Sequence, residues 1–530
     1  MIFFVCGFVS ASMANNLILS SFDEVSTNVT GHLMTFTFNL KQENSWRNNV
    51  SHDAAWIFMK YSVDAGKTWH HASITSGGVS PAGFESYIPQ DGKGFFFRRK
   101  DAGAGVIDVK GSTFVWNYGQ DGLSDTTASA ANTITRLFGL EMVYVPTGAF
   151  FAGDGASSSD YRFKKGSADD QPWYINSENA ITTTNTSSGG FFYQGSGSSG
   201  ENSTGDIFLL PNSFPKGYQA FYLMKFELTE GEWVAFFNTL SVAARINRDI
   251  TSAVDGGKGT SDVTNRNTVS WDSIHPMVPA QTKRPARAMT YVSWPDAAAF
   301  ADWAALRPMT ELEYEKAARG VDIQPKADEF AWGSLAAHSA VSGDIFPSDQ
   351  DENGAEVLLS GAANVNNNAL SWISGDGRQP GGISIGQKGP LRAGIFSANS
   401  NSRAASGAGY YGNMEFSGNV AEPAVTIGRD QGRQFLGTQG DGELNILSGF
   451  EGNATNVDWP GIDSQDARRG ITGTLGIGYR GGDYQSSSMK YLQISSRNFA
   501  AKDPDSEGFK RRFDSSAGIV YGIRCARSAQ

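Results

Sequence analysis

Residues 292–320, "VSWPDAAAFADWAALRPMTELEYEKAARG", decide how the chain is read. Two short helices are written into this stretch. Ser293 can cap the first and Pro295 suits its opening turn, because proline has no N–H to lose there. Phe300 and Trp303 then fall on one face. The second helix opens on Thr310 with Glu313 three residues later, a capping box, and stops at Gly320. The same grammar occurs upstream in "LTEGEWVAFFNTL" (228–240), where Thr229 and Glu232 form the box. Trp233, Phe236, Phe237 and Leu240 follow as a single apolar stripe. Such aromatic stripes are core-packing devices.

Around these few helices the chain is strand- and loop-forming. It has 530 residues, too many for one core, with 62 glycines, 12% aromatic residues and 18% charged residues. Residues 15–138 read as an all-β sandwich. In "HLMTFTFNL" (32–40) Met34, Phe36, Phe38 and Leu40 alternate with polar residues, the pattern of a half-buried strand. "AWIFMKYSVDAGKTWHHASI" (55–74) reads as a hairpin turning at Asp64-Ala65-Gly66-Lys67. His70 and His71 are adjacent, so a strand points them to opposite faces. They are a poor metal pair and are expected at the surface. A second unit, 139–530, begins near "LEMVYVPTGAFFAGD". The Gly/Ser/Thr-rich run 181–206 is expected to be an insertion or mobile loop, and the glycine-rich runs 375–409 and 430–456 further loop excursions.

Composition narrows the function. The net charge is −11 with no basic stripe, which argues against nucleic acid as a partner. Residues 1–14 read as a secretory signal, with an apolar run from Ile2 to Val9 and a small-x-small site at Ser12-Met13-Ala14. The positive flank is missing, and a short buried strand is the alternative. No later window is apolar enough to span a membrane. With the signal removed, Cys525 is the only cysteine, which leaves no intrachain disulfide and suggests a small core hydrophobe.

In this order, the helix openings and several further segments resemble the formylglycine-generating enzyme (sulfatase-modifying factor) family. "FYLMKFELTEGEWVAFFN" (221–238) is similar to its first strand and helix, 292–320 to its central helix pair, and "FAWG" (330–333) to the aromatic turn that follows. "GYYGNMEFSGNVAEPA" (409–424) resembles its Gly-Asn-Val-x-Glu segment, while "YRGGDY" (479–484) and "GIRCAR" (522–527) resemble its closing motifs. The likeness covers roughly residues 140–530. It implies an α+β, C-type-lectin-like formylglycine-generating-enzyme fold behind the β-sandwich.

The resemblance also implies where chemistry would sit. Family oxidases hold copper(I) with two cysteine thiolates, and soft thiolates are what that ion needs. Counting from Arg480-Gly481-Gly482 places these positions on Ser486 and on, or next to, Tyr491. The iron-dependent branch uses a histidine cluster, but none of His32, His52, His70, His71, His275 and His338 has its spacing. Nucleophile signatures are missing too, so no catalytic residue is expected. Family members also bind structural calcium. Asn419, the Val420 carbonyl and Glu422 match one such loop, and Asn364 with Val365 resembles another. The alternative is that these residues bond their own loop backbones.

The expectation is therefore an exported, non-catalytic binding or adhesion protein of bacterial type. Its ligand-binding candidates are Tyr484, Ser486, Tyr491, Arg497, Arg511 and Arg512, a recognition palette of rigid anchors and adaptable donors. The partner would be a surface or matrix protein or a glycan. The bland alternative is that these side chains fill the fold's interior. Rival functions are a metal-dependent oxidase with an unrecognised iron or copper site, a retroelement-diversified ligand-binding protein, and a structural component of a cell-envelope or secretion assembly.

Overall fold

The computed structural model describes residues 17–155, 160–197, 200–340, 345–346, 356–358, 363–367, 389–399, 402–501 and 520–529. It is mostly sheet with few helices, an α+β fold with a β-rich N-terminal region. A four-stranded sheet runs in the order Ile18–Asn28, Leu33–Arg47, Gly103–Asn117, Ile74–Ser76. The second sheet has eight strands. Its path is Arg307–Pro308, Cys525–Ser528, Phe221–Met224, Ile134–Val145, Asp53–Ser62, Phe95–Arg99 and Phe84–Tyr87, with His70–His71 pairing on Asp53–Ser62.

One strand explains the architecture. Every residue of Asp53–Ser62 is buried, because both of its faces are covered. Ala55, Ile57, Met59 and Tyr61 point into the sandwich core with Phe36, Phe38, Phe114 and Trp116. Ala54, Trp56 and Phe58 point the other way, into a core shared with the helices. The boundary expected at 138/139 therefore falls inside the strand Ile134–Val145, which pairs with Asp53–Ser62 on one side and Phe221–Met224 on the other. The sandwich and the C-terminal region share a sheet.

The three helices anticipated from their N-terminal caps form where expected, at Glu230–Phe237, Trp294–Trp303 and Glu311–Arg319. Each has a reciprocal box, Thr229 with Glu232, Ser293 with Asp296, and Thr310 with Glu313. Their aromatic residues dock on the sheet. Trp303 meets Phe58 edge-on at 5.1 Å and Phe138 at 4.9 Å, and Phe236 meets Trp303 at 5.3 Å. Cys525 is a buried strand residue at 2% exposure, and burial pushes its thiol pKa up. Among the described residues no helix is long and apolar enough to cross a membrane.

Two expectations are corrected. His71 is buried: it stacks on Phe58 at 5.5 Å and approaches the Lys93 carbonyl at 2.5 Å, while His70 stays half-exposed against Glu443. The strand parity was right, but the face opposite the sandwich is covered by the 440–443 loop. The described part of 181–206 is not a free loop. Ile181–Thr182 pairs with Leu209–Leu210, and Phe192 and Tyr193 are buried. Aromatic anchors inside the polar run supply the burial that its average composition hides. Much of 375–409 lies outside the described residues.

Candidate functional site

The strand Ile477–Arg480 pairs with Glu422–Val425 and delivers the chain to Gly481 and Gly482. Both glycines have positive φ, and a Cβ on Gly481 would stand 2.6 Å from the Phe416 carbonyl. The turn they permit buries Asp483. Its carboxylate accepts from the backbone N–H groups of Gln485 (2.7 Å) and Val520 (2.6 Å). Its own N–H donates to Ser486 Oγ at 2.9 Å. Burial lifts the Asp483 pKa to about 6 despite these donors.

Ser486 and Tyr491, far apart in character but expected at one site, line the same cleft. Asp483, Ser496, Asn498 and Phe499 complete its wall. The cavity measures about 10 Å³, the room of one water molecule. Tyr491, Asn498 and Phe499 are half-exposed at its mouth, with the two rings 5.3 Å apart. Asp483, Ser496 and Asn498 were not among the sequence candidates. Their only signal is proximity to the glycine pair and to the Arg497 turn.

Tyr484, Ser486 and Arg497 are all buried, Ser486 at 7% exposure on the inner wall of the cleft, which corrects the expectation that they form an exposed binding surface. Tyr484 is 2% exposed, and its N–H donates to the Asn419 carbonyl at 2.9 Å. Arg497 is 0% exposed. It grips Glu311 through Nε (2.7 Å) and Nη2 (3.1 Å), and lies 4.3 Å from the Phe163 ring centroid and 5.1 Å from that of Tyr193. Arg511 and Arg512 lie outside the described residues.

Beneath the cleft runs a ladder of alternating charge. Glu311 bonds both Arg497 and Arg480. Arg480 also bonds Glu315 at 2.6 Å, Glu315 bonds Arg319 at 3.0 Å, and Arg319 bonds Glu329 at 2.6 Å. Three cations meet three anions, so the ladder is neutral. Burial raises the Glu311 pKa, but Arg497 and Arg480 more than offset this and hold the carboxyl below its usual range. Glu311, Glu315 and Arg319 share one helix face at four-residue spacing, a signal the sequence offered and the capping-box reading passed over.

Neither thiolates nor calcium ligands fit the residues present. At Ser486 and Tyr491 the cleft offers hydroxyl oxygens, hard donors unsuited to copper(I). In the expected calcium loops several of the oxygens are already engaged, although Glu422 Oε2 is buried without a hydrogen-bond partner. Asn419 Oδ1 accepts from Asn366 Nδ2 (2.9 Å) and the Leu391 N–H (2.8 Å), and the Val420 N–H donates to Glu227 at 3.0 Å. Glu422 Oε1 accepts from Arg524 Nε at 2.7 Å, so a guanidinium occupies the position where a cation would be needed. Asn364 Oδ1 accepts from the His338 N–H at 2.8 Å, and the Val365 carbonyl from the Ala340 N–H at 2.9 Å. Among the described residues no group of three or more His, Cys, Asp or Glu side chains is placed to hold a metal ion.

A search of curated proteins finds no match. The family model described as "Sulfatase-modifying factor enzyme 1-like domain" matches residues 176–528, well over half of the chain, and spans the three capped helices, the charge ladder and the cleft. This chain belongs to the sulfatase-modifying factor enzyme 1-like family.

Proposed function

We propose that this chain is an exported, non-catalytic binding protein in which a C-type-lectin-like scaffold offers the Ser486–Tyr491 cleft to a glycan on a surface or matrix. The observation that carries this reading is the donor set. Where the resemblance puts two soft thiolates, the cleft wall holds Ser486 and Tyr491, and Cys525 is locked in a sheet strand. What remains suits recognition. The half-exposed Tyr491 and Phe499 rings can pack on a sugar face, with the half-exposed Asn498 beside them as a hydroxyl partner. The charge ladder keeps that wall rigid, so little ordering is needed on binding.

The test is a binding screen over immobilised glycans and surface proteins with the full chain, repeated with Tyr491→Ala and Asn498→Ala. A glycan retained by the parent and released by both variants supports the reading. Retention of a protein alone replaces glycan by protein as the ligand. Stoichiometric copper or iron in the purified chain, with oxidative turnover that Ser486→Ala abolishes, would overturn it.

A further inference from the structure

A second cluster, away from the cleft, joins the two halves of the molecule. Asp53 opens the strand Asp53–Ser62, and Glu141 lies on the neighbouring strand opposite Ala55, so the two carboxylates share a face. Lys225 follows directly on Phe221–Met224, and its backbone N–H donates to the Glu141 carbonyl at 2.8 Å. Its Nζ reaches down between the carboxylates, 3.1 Å from Asp53 Oδ2 and 3.1 Å from Glu141 Oε2. Gln42 Nε2 bridges the same two oxygens at 3.2 and 3.1 Å. All four side chains are buried.

Three features exceed what a structural ion pair requires. Asp53 Oδ1, turned away from the lysine, accepts from Ser45 Oγ (2.9 Å) and the Trp46 N–H (2.9 Å). Two fixed donors on that oxygen polarise the carboxyl carbon and would stabilise an oxyanion formed on it. Glu141 Oε1 and Gln42 Oε1 are buried with no hydrogen-bond partner, so the site carries unmet acceptors. The cluster also holds one cation and two carboxylates in a water-poor interior, where removing an ion pair relieves desolvation.

We propose that Lys225 and Asp53 condense to an intramolecular amide, with Glu141 as the proton relay. The ammonium gives one proton to Glu141 Oε2, which relays it to Asp53 Oδ2. A neutral amine then faces a neutral carboxylic acid. Nζ attacks Cγ, the negative charge gathers on Oδ1 between Ser45 and Trp46, and a second amine proton passes to the departing Oδ2. The Cγ–Oδ2 bond breaks, the Cγ–Nζ bond stays, and one water leaves. An ammonium and a carboxylate become an amide and water, so atoms and charge balance without an external reagent, and Glu141 ends as it began. Burial raises the Glu141 pKa to about 7, with Lys225 offsetting only part of this, while Glu141 and Asp53 outweigh burial and hold the Lys225 ammonium above its usual range, so the first proton transfer is the uphill step.

The test is the mass of the purified, folded full chain after denaturation, followed by peptide mapping. The expected result is a chain lighter than its sequence by one water. Trypsin should no longer cut after Lys225, and the peptide holding Asp53 should be joined to the one holding Lys225. Glu141→Gln and Lys225→Arg should run at full mass. If either variant fails to fold, the parent's mass and map decide by themselves. Full mass in the parent, or a water lost between other residues, overturns the proposal.

Discussion

Replacing Arg497 by methionine should unfold the chain more readily than any substitution at the cleft mouth. The Arg497 side chain makes five hydrogen bonds, two to Glu311 and one each to the Tyr161 carbonyl, the Gln194 carbonyl and Tyr193 Oη. Without it Glu311 keeps Arg480, the Ile427 N–H and Thr426 Oγ1, but loses its closest cation. Breaking a buried pair from one side costs about 3–5 kcal/mol, because the remaining charge is left under-compensated. Arg497→Lys should recover little of this, since one ammonium cannot span the fork that the guanidinium fills. Urea unfolding of the parent, Arg497→Met, Glu311→Gln and the double variant gives the coupling between the two residues, expected at about 1–3 kcal/mol. An Arg497→Met chain within about 0.5 kcal/mol of the parent, with ligand binding lost, would refute the structural role and return Arg497 to the binding surface.

Introducing both thiols, Ser486→Cys with Tyr491→Cys, should create copper(I) binding at one ion per chain. Competition against a colorimetric copper(I) chelator measures it, and equal affinity in the parent would contradict the donor argument. Glu232 is buried at the helix cap beside Phe300 and Trp303, and burial lifts its pKa to about 7 although Thr229 bonds it. A raised carboxylate pKa supports the fold below the unfolded value and loses that support as pH rises through the folded one. Glu232→Gln should therefore match the parent near pH 4 and exceed it at pH 8 by up to about 3 kcal/mol, read from urea midpoints. Gly442 has φ of 87°, and a Cβ there would lie 2.1 Å from His71 Nδ1. Gly442→Ala should cost about 1–3 kcal/mol by prying the 440–443 loop off the sandwich, and an unchanged urea midpoint would disprove that contact.

The helices were legible because capping boxes and aromatic stripes are local: Thr229, Ser293 and Thr310 announce them within a few residues. The strand Leu33–Arg47 was equally plain, since one wet face forces alternation. Asp53–Ser62 carried a quieter message. Its continuous burial shows only that something covers both faces, and the second cover comes from helices far along the chain, Glu230–Phe237 and Trp294–Trp303. Counting from Arg480 named Ser486 and Tyr491, and the chain after the glycine turn sets both of them beside one cavity. Arg497 and Tyr484 were misplaced because composition gives residue type and not direction. Arg497 points inward since Glu311, on a helix distant in sequence, supplies the charge that makes its burial tolerable.

The shared sheet has a consequence for anyone who would cut this protein in two. A fragment starting at residue 139 would begin in the middle of Ile134–Val145 and lack that strand's partner Asp53–Ser62. Its exposed edge would invite pairing with other chains, and the apolar floor left by Trp56 and Phe58 would meet water. Such a fragment should precipitate or swap strands, and transplanting the first half onto another relative would need the recipient's own sheet to accept the graft.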